Sequence, residues 1–180
     1  DRIDPLAPPW ERDVGVRQLA AWESGQDDLP TWDEAEPVEE HGCLDVDPVD
    51  LNAYRVLDLE CLAKIAWELG LYDEGAAHHA AAADLRRRVN EHLWDAERET
   101  YADRRWDGSF TPARTASHFL VLAAGIAPED RARRMLEHLT DPELFWGDFV
   151  VPTLSRDDPR FAEQQYWRGT IWPPMNYLIH

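Results

Sequence analysis

The 180-residue chain has almost no lysine: Lys64 is the only one among its 18 basic residues, and arginine supplies the rest. That bias is compositional and carries no functional argument. Basic charge of either kind is scarce against 36 acidic residues, giving a net charge of −18 with histidine neutral. Such a surface repels phosphate backbones, which argues against nucleic acid as a partner. Cysteine is limited to Cys43 and Cys61, in no CxxC or Cys/His ligand spacing. A disulfide scaffold needs more cysteines in a shorter chain, so both thiols are expected to be free. No apolar run approaches ~18 residues, so no membrane span is expected. No signal peptide is visible, although the chain begins at Asp1 rather than at Met. The cytoplasm is the favoured compartment on these grounds, and the oligomeric state stays open. A phosphate loop, a GxGxxG turn and a Ser-His-Asp order are all missing, so no cofactor is expected. His78, His79 and His92 lack a carboxylate partner at metal spacing, so no metal site is expected either.

What is present is 44% hydrophobic residues, enough for a real core, in a length that fits one ordinary domain. Leu51, Tyr54, Leu57, Cys61, Leu62, Ile65 and Leu69 recur at three- and four-residue steps and predict a helix. Asp50 is its expected N-cap and Gly70 its expected stop. A second, Ala-rich helix is predicted over 73–94. The short Gly70-Leu71-Tyr72 link makes the two antiparallel neighbours. Thr100 to Phe110 reads as a small hairpin turning at Asp107-Gly108. Further helices are expected over 12–22, 115–124 and 128–139, and irregular chain over 140–172, where Pro142, Pro152 and Pro159 bar long helices. Pro173-Pro174 opens another helix just before the chain stops at His180. The expected class is all-α, with paired antiparallel helices, long loops and one small β-hairpin.

Two segments carry chemistry. Trp22-Glu23-Ser24-Gly25-Gln26-Asp27-Asp28-Leu29-Pro30-Thr31-Trp32-Asp33 packs four carboxylates and two indoles into twelve residues. Gln165 to Tyr177 adds Tyr166, Trp167, Arg168, Gly169 and Trp172. Indole and phenol rings offer flat faces to C–H-rich sugar rings, and a carboxylic acid supplies the proton that a departing glycosidic oxygen needs. Trp22, Tyr166, Trp167 and Trp172 are candidate platforms, with about half of them expected in the core, where large aromatics usually serve. Arg168 is a candidate for holding a sugar hydroxyl or a substrate carboxylate through its fork, with an internal ion pair at even odds. Glu23, Gln26 and Gly169 complete the candidate substrate-binding set. His118 is expected to be a satisfied buried histidine, and Asn176 to bridge backbone.

Glu23-Ser24-Gly25-Gln26-Asp27 resembles the Glu-Ser-Gly-x-Asp motif of glycoside hydrolase family 63 and its trehalase relatives. Tyr166-Trp167-Arg168-Gly169-Thr170-Ile171-Trp172-Pro173-Pro174-Met175-Asn176-Tyr177 is similar to the aromatic segment of that family, including its bacterial mannosylglycerate hydrolase branch. Phe145 to Phe149, Pro152 to Asp158 and Asp50 to Tyr54 resemble intervening stretches. The resemblance implies a partial (α/α)6 toroid. Residues 1–180 would then be a fragment of one catalytic domain, lacking N-terminal and C-terminal helices. It implies inverting hydrolysis of an α-linked glucoside or mannoside, such as mannosylglycerate, glucosylglycerate or an oligosaccharide. Asp27 would be the general acid, and the general base a Glu beyond the aromatic segment and outside this chain. Gln26 stands where the family usually carries an apolar or aromatic residue, and Asp28-Leu29-Pro30 replaces Asn-Ser-Pro, which leaves the substrate open. A general acid must hold its proton at working pH. Burial and neighbouring like charges favour that, and Glu23, Asp28 and Asp33 lie close in sequence. Two other readings stand beside this one. The chain could be a non-catalytic carbohydrate-binding fragment. It could also be a helical isoprenoid-cyclase type of enzyme, in which Asp27, Asp28 and Asp33 chelate Mg²⁺.

Overall fold

The computed structural model describes residues 14–180, so Arg12 and Asp13 of the first expected helix lie outside the described residues. The chain runs α1 (Val16–Glu23), α2 (Thr31–Glu34), β1 (Pro37–Val38), β2 (Cys43–Leu44) and β3 (Val46–Asp47). The long helices α3 (Val49–Glu68) and α4 (Tyr72–His92) follow, then β4 (Trp94–Asp95), β5 (Thr100–Tyr101) and β6 (Arg104–Arg105). A 3-10 turn at Ala116–Phe119 leads into α5 (Leu120–Ala123), followed by α6 (Glu129–Thr140), a 3-10 turn at Pro159–Glu163 and α7 (Pro173–Ile179).

The helical hairpin α3–α4 is set by its link. Gly70 adopts φ +76, its N–H donates to Trp67 O at 3.0 Å, and Leu71 N–H donates to Ala66 O at 2.8 Å. These two bonds close the carbonyls that a helix end leaves open and reverse the chain. Gly75 then sits on the Trp67 ring, where a Cβ would clash. The two helices therefore approach closely, and Ala53, Val56, Ala63 and Ala66 of α3 and Ala82 and Val89 of α4 are buried. α5 packs against α3 on one side and α7 on the other. Paired helices in this arrangement form an arc of an (α/α)6 toroid.

Three expectations need correction. Asp50 is not the N-cap of α3: the helix starts at Val49 after Pro48, and Asp50 lies in its first turn with a buried side chain. The periodic stripe on α3 is not its core face. Leu51, Tyr54, Cys61, Ile65 and Leu69 are exposed, while the smaller Ala-rich face is buried, because only small side chains let α4 come close. The β content is also distributed differently. The turn at Asp107-Gly108 is present, with Gly108 at φ +92 and Asp107 Oδ1 accepting from Ser109 N at 2.9 Å. Around it, Arg104 bridges to Phe110. Thr100–Tyr101 pairs backwards with Trp94–Asp95, however, and Arg104–Arg105 pairs with Val46–Asp47.

The buried core joins the hairpin to the loops. Trp32, Val49, Val56, Val89, Leu93, Tyr101, Phe119, Leu120, Met135 and Phe145 belong to one cluster, with Phe119 edge-on to Phe145 at 4.9 Å.

Candidate active site

The first chemical segment is shaped by the end of α1. Ser24 Oγ donates to Ala21 O at 2.6 Å and accepts from Gln26 N at 3.0 Å, and Gly25 turns the chain at φ +71. Gln26 is thereby driven inward, and at 5% exposure it belongs to the floor rather than the surface. Its carbonyl accepts from Trp32 Nε1 at 2.7 Å and from Leu29 N at 3.0 Å. Its side-chain Nε2 donates to Asp50 Oδ2. Asp27 and Asp28 follow on the outer side, both half-buried.

The second segment reaches back across 139 residues. Tyr166 O–H donates to Asp27 Oδ2 at 3.2 Å, and Trp167 N–H donates to Asp28 Oδ1 at 2.8 Å. Arg168 Nη2 donates to both oxygens of Asp33, at 2.7 and 2.8 Å, with Glu163 at 3.5 Å and Asp28 at 3.8 Å from its other nitrogens. The Asp33 hydrogen bonds raise the Arg168 pKa further, and the bond to Asp27 raises that of Tyr166. Arg160 reinforces the same seam through Asp158 and Glu34, at 2.8 and 3.2 Å. Burial would lift the Asp158 pKa, but Arg160 outweighs it and holds that carboxylate below its ordinary range.

The aromatic rings divide as their burial dictates. Trp167 is buried and stacks face-to-face on Trp172 at 4.6 Å and 12°. Tyr166 is exposed and meets Trp172 edge-on at 5.2 Å, while Trp172 Nε1 donates to Tyr166 O at 2.8 Å. Gly169, at φ +96, is a buried turn glycine, and a Cβ there would meet Phe161 O at 2.8 Å. Its N–H donates to Thr153 Oγ1 at 3.1 Å. Asp27, Tyr166, Trp167, Arg168 and Trp172 are thus brought together. Glu23 is exposed at the end of α1, Trp22 is half-buried on the same helix, and Gln26 and Gly169 lie beneath. Asn176 bridges backbone as its position suggested, with Nδ2 donating to Val151 O at 2.9 Å and Oδ1 accepting from Val151 N at 3.0 Å.

A buried polar layer under this seam was missed in the sequence. Asp103 Oδ1 accepts from Val49 N at 2.8 Å, and its Oδ2 accepts from Thr31 Oγ1 at 3.0 Å and lies 3.2 Å from His118 Nε2. Burial would lift the Asp103 pKa, but His118 and these hydrogen bonds hold it low. Asp50 goes the other way: burial first, then the Asp103 charge, push it to about 6. The sequence reads Asp50 and His118 one at a time, as an N-cap and a buried histidine, and Asp103, which directly follows Thr100-Tyr101-Ala102, is not singled out.

Helices curving around loops that join a carboxylic acid to stacked indoles define a domain of the six-hairpin glycosidase type. The chain belongs to the mannosylglycerate hydrolase MGH1-like glycoside hydrolase family, whose domain it matches over residues 11–180. It is 32% identical over 124 residues to the mannosylglycerate hydrolase of Rubrobacter radiotolerans, covering 66% of this chain and 27% of that protein. It is 28% identical over 163 residues to a probable mannosyl-oligosaccharide glucosidase of Schizosaccharomyces pombe, covering 87% of this chain and 19% of that one. The fold superposes on a family 63 mannosylglycerate hydrolase from Thermus thermophilus, solved with glucose, at a TM-score of 0.71. That match has 22% identity and covers 91% of this chain and 48% of the other. The chain therefore spans about a fifth to a half of the length of these proteins. Family membership overturns the isoprenoid-cyclase reading. Asp27 accepts from Tyr166, Asp28 from the Trp167 N–H and Asp33 from Arg168, which also lies 3.8 Å from Asp28.

Proposed function

We propose that this chain supplies the general-acid half of an inverting glycoside hydrolase acting on an α-linked glucoside or mannoside, with mannosylglycerate and glucosylglycerate the leading substrates. Asp27 gives its proton to the departing glycosidic oxygen. A second carboxylate, outside these 180 residues, activates water from the opposite face of the sugar, at the wider spacing that an inverting pair needs. Tyr166 and the Trp172 edge of the indole stack offer the sugar an apolar wall. The observation that carries this reading is the 3.2 Å contact between Tyr166 and Asp27, which joins the acidic and aromatic segments in one place. Among the described residues no helix is long and apolar enough to cross a membrane, and Cys43 and Cys61 are free thiols. A cytoplasmic setting suits both.

The test is Asp27→Asn in a catalytically active form of the protein that extends this chain. Turnover of an alkyl glycoside falls by roughly 10²–10⁴, and that of an aryl glycoside, whose leaving group needs no proton, falls much less. Near-normal turnover of both substrates refutes the assignment. The 180-residue chain alone binds the glycoside with little or no turnover.

A further inference from the structure

Asp27 is held from both neighbours in the chain. On one side Asp28 is fixed by the Trp167 N–H at 2.8 Å. On the other, the Gln26 backbone is fixed by Ser24 Oγ, Leu29 N and Trp32 Nε1. The Gln26 side chain adds one more restraint, and it is an unusual one. Nε2 donates to Asp50 Oδ2, whereas the buried Oε1 has no hydrogen-bond partner. A buried amide with an unfilled acceptor is a net cost, and an apolar side chain of the same size would avoid it. Asp50 is also costly in place, because it is buried on the first turn of α3 and the Asp103 charge disfavours its ionised form. Its other oxygen accepts from Leu51 N at 2.7 Å, which ties it to the N-terminus of the longest helix pair in the molecule. The contact therefore connects a rigid scaffold element to the residue immediately before Asp27.

From this geometry we propose that Asp50 is a positioning residue for Asp27, acting through the Gln26 side chain. The inference rests on the reading of Asp27 as the general acid. Asp50 lies behind Gln26 and does not reach the substrate. It fixes the backbone from which the Asp27 carboxyl projects, and displacement of a reacting group by about 1 Å lowers rates by roughly 10²-fold.

The experiment compares Gln26→Leu, Asp50→Ala, Asp50→Asn and the double variant Gln26→Leu/Asp50→Ala in the same active, extended protein, with Asp27→Asn in parallel. Gln26→Leu keeps the volume and removes the bond. It lowers kcat on an alkyl glycoside by roughly 10- to 100-fold, with KM within about twofold and a smaller loss on an aryl glycoside. Asp50→Ala does the same, and the double variant loses no more than either single one, as expected of one shared contact. Asp50→Asn keeps one acceptor oxygen for Gln26, gives up the bond from Leu51 N, and retains kcat within about threefold. Additive losses, or losses equal on the two substrates, overturn the proposal and leave a merely structural role. If Asp50→Ala does not fold, Gln26→Leu and Asp50→Asn decide the matter by the same criterion. If Asp27→Asn shows the leaving-group pattern and Gln26→Leu does not, only this inference fails. If Asp27→Asn lacks the pattern, the general-acid reading fails beneath it.

Discussion

The α3–α4 hairpin and the seam between residues 26–34 and 160–172 are held by different physics. The hairpin closes on small apolar side chains and one glycine; Arg86 reaches Glu60 across it at 2.8 Å, and other pairs, such as Arg87 with Asp84 and Glu91, lie on the exposed surface of α4. Exposed pairs of that kind add little to stability, because water and salt screen them. The seam is stitched by polar contacts between distant parts of the chain: Tyr166 to Asp27, Trp167 to Asp28, Arg168 to Asp33, and Arg160 to Glu34. Beneath it lies the buried layer of Asp50, Asp103, His118 and Thr31. Close packing tolerates many sequences of similar volume, whereas a buried polar layer works only when each member meets its partner. The seam is therefore the part of the molecule where single atoms matter.

The largest effect on stability is expected from Asp103→Ala. It strips Val49 N, Thr31 and His118 of a shared partner, and breaking a buried pair from one side costs about 3–5 kcal/mol. Urea unfolding measures it, and an unchanged midpoint would erase the contrast between the two regions. Next comes pH. Asp103 is held low, so its contribution is present above the ordinary carboxylate pKa and is lost as the pH falls through its own lower value. Asp50 is raised to about 6, so its contribution is present in acid and is lost as the pH rises from about 4 through about 6. Asp50→Asn removes that second loss. Relative to the unsubstituted protein, the variant gains up to about 3 kcal/mol between pH 4 and 7, read from unfolding curves at the two pH values. No relative gain would mean that the Asp50 carboxyl is not paying for its burial. In the hairpin, Gly75→Val drives a side chain into the Trp67 ring and costs about 1–3 kcal/mol by thermal or urea unfolding, with the seam contacts untouched. The smallest effect is on the exposed face of α3, where Ile65→Gln stays within about 0.5 kcal/mol because that side chain is 56% exposed.

Much of the fold was legible because it is local. Gly70 and Gly125 at positive φ end their helices where the apolar patterns stop, and Pro173 opens α7. The two segments stood out by their carboxylates and indoles, but in so acidic a chain that density alone suits a solvated loop, and it was the resemblance that named them as a candidate site. What was not legible depends on distance in sequence. Periodicity on α3 selected Leu51, Ile65 and Leu69 by size, but the buried face was decided by how near α4 could come, which Gly75 and the alanines set. The sequence leaves Arg168 either a holder of ligand or one half of an internal ion pair, and cannot say that its partner is Asp33, 135 residues away. Gln26 and Gly169 read as candidate substrate-binding residues, and both turn inward, one towards Asp50 and one against Phe161.

The backbone at Gln164, Tyr166 and Gly169 has φ of +47, +44 and +96. Two of these carry side chains that disfavour such values by roughly 1–3 kcal/mol each, so the curl persists only under duress from Thr153, Asp28 and their neighbours. A short synthetic peptide of the same letters would relax out of that shape. The ring pair of Trp167 and Trp172 is for this reason not a portable cassette: moving it to another scaffold means moving the surrounding loops with it.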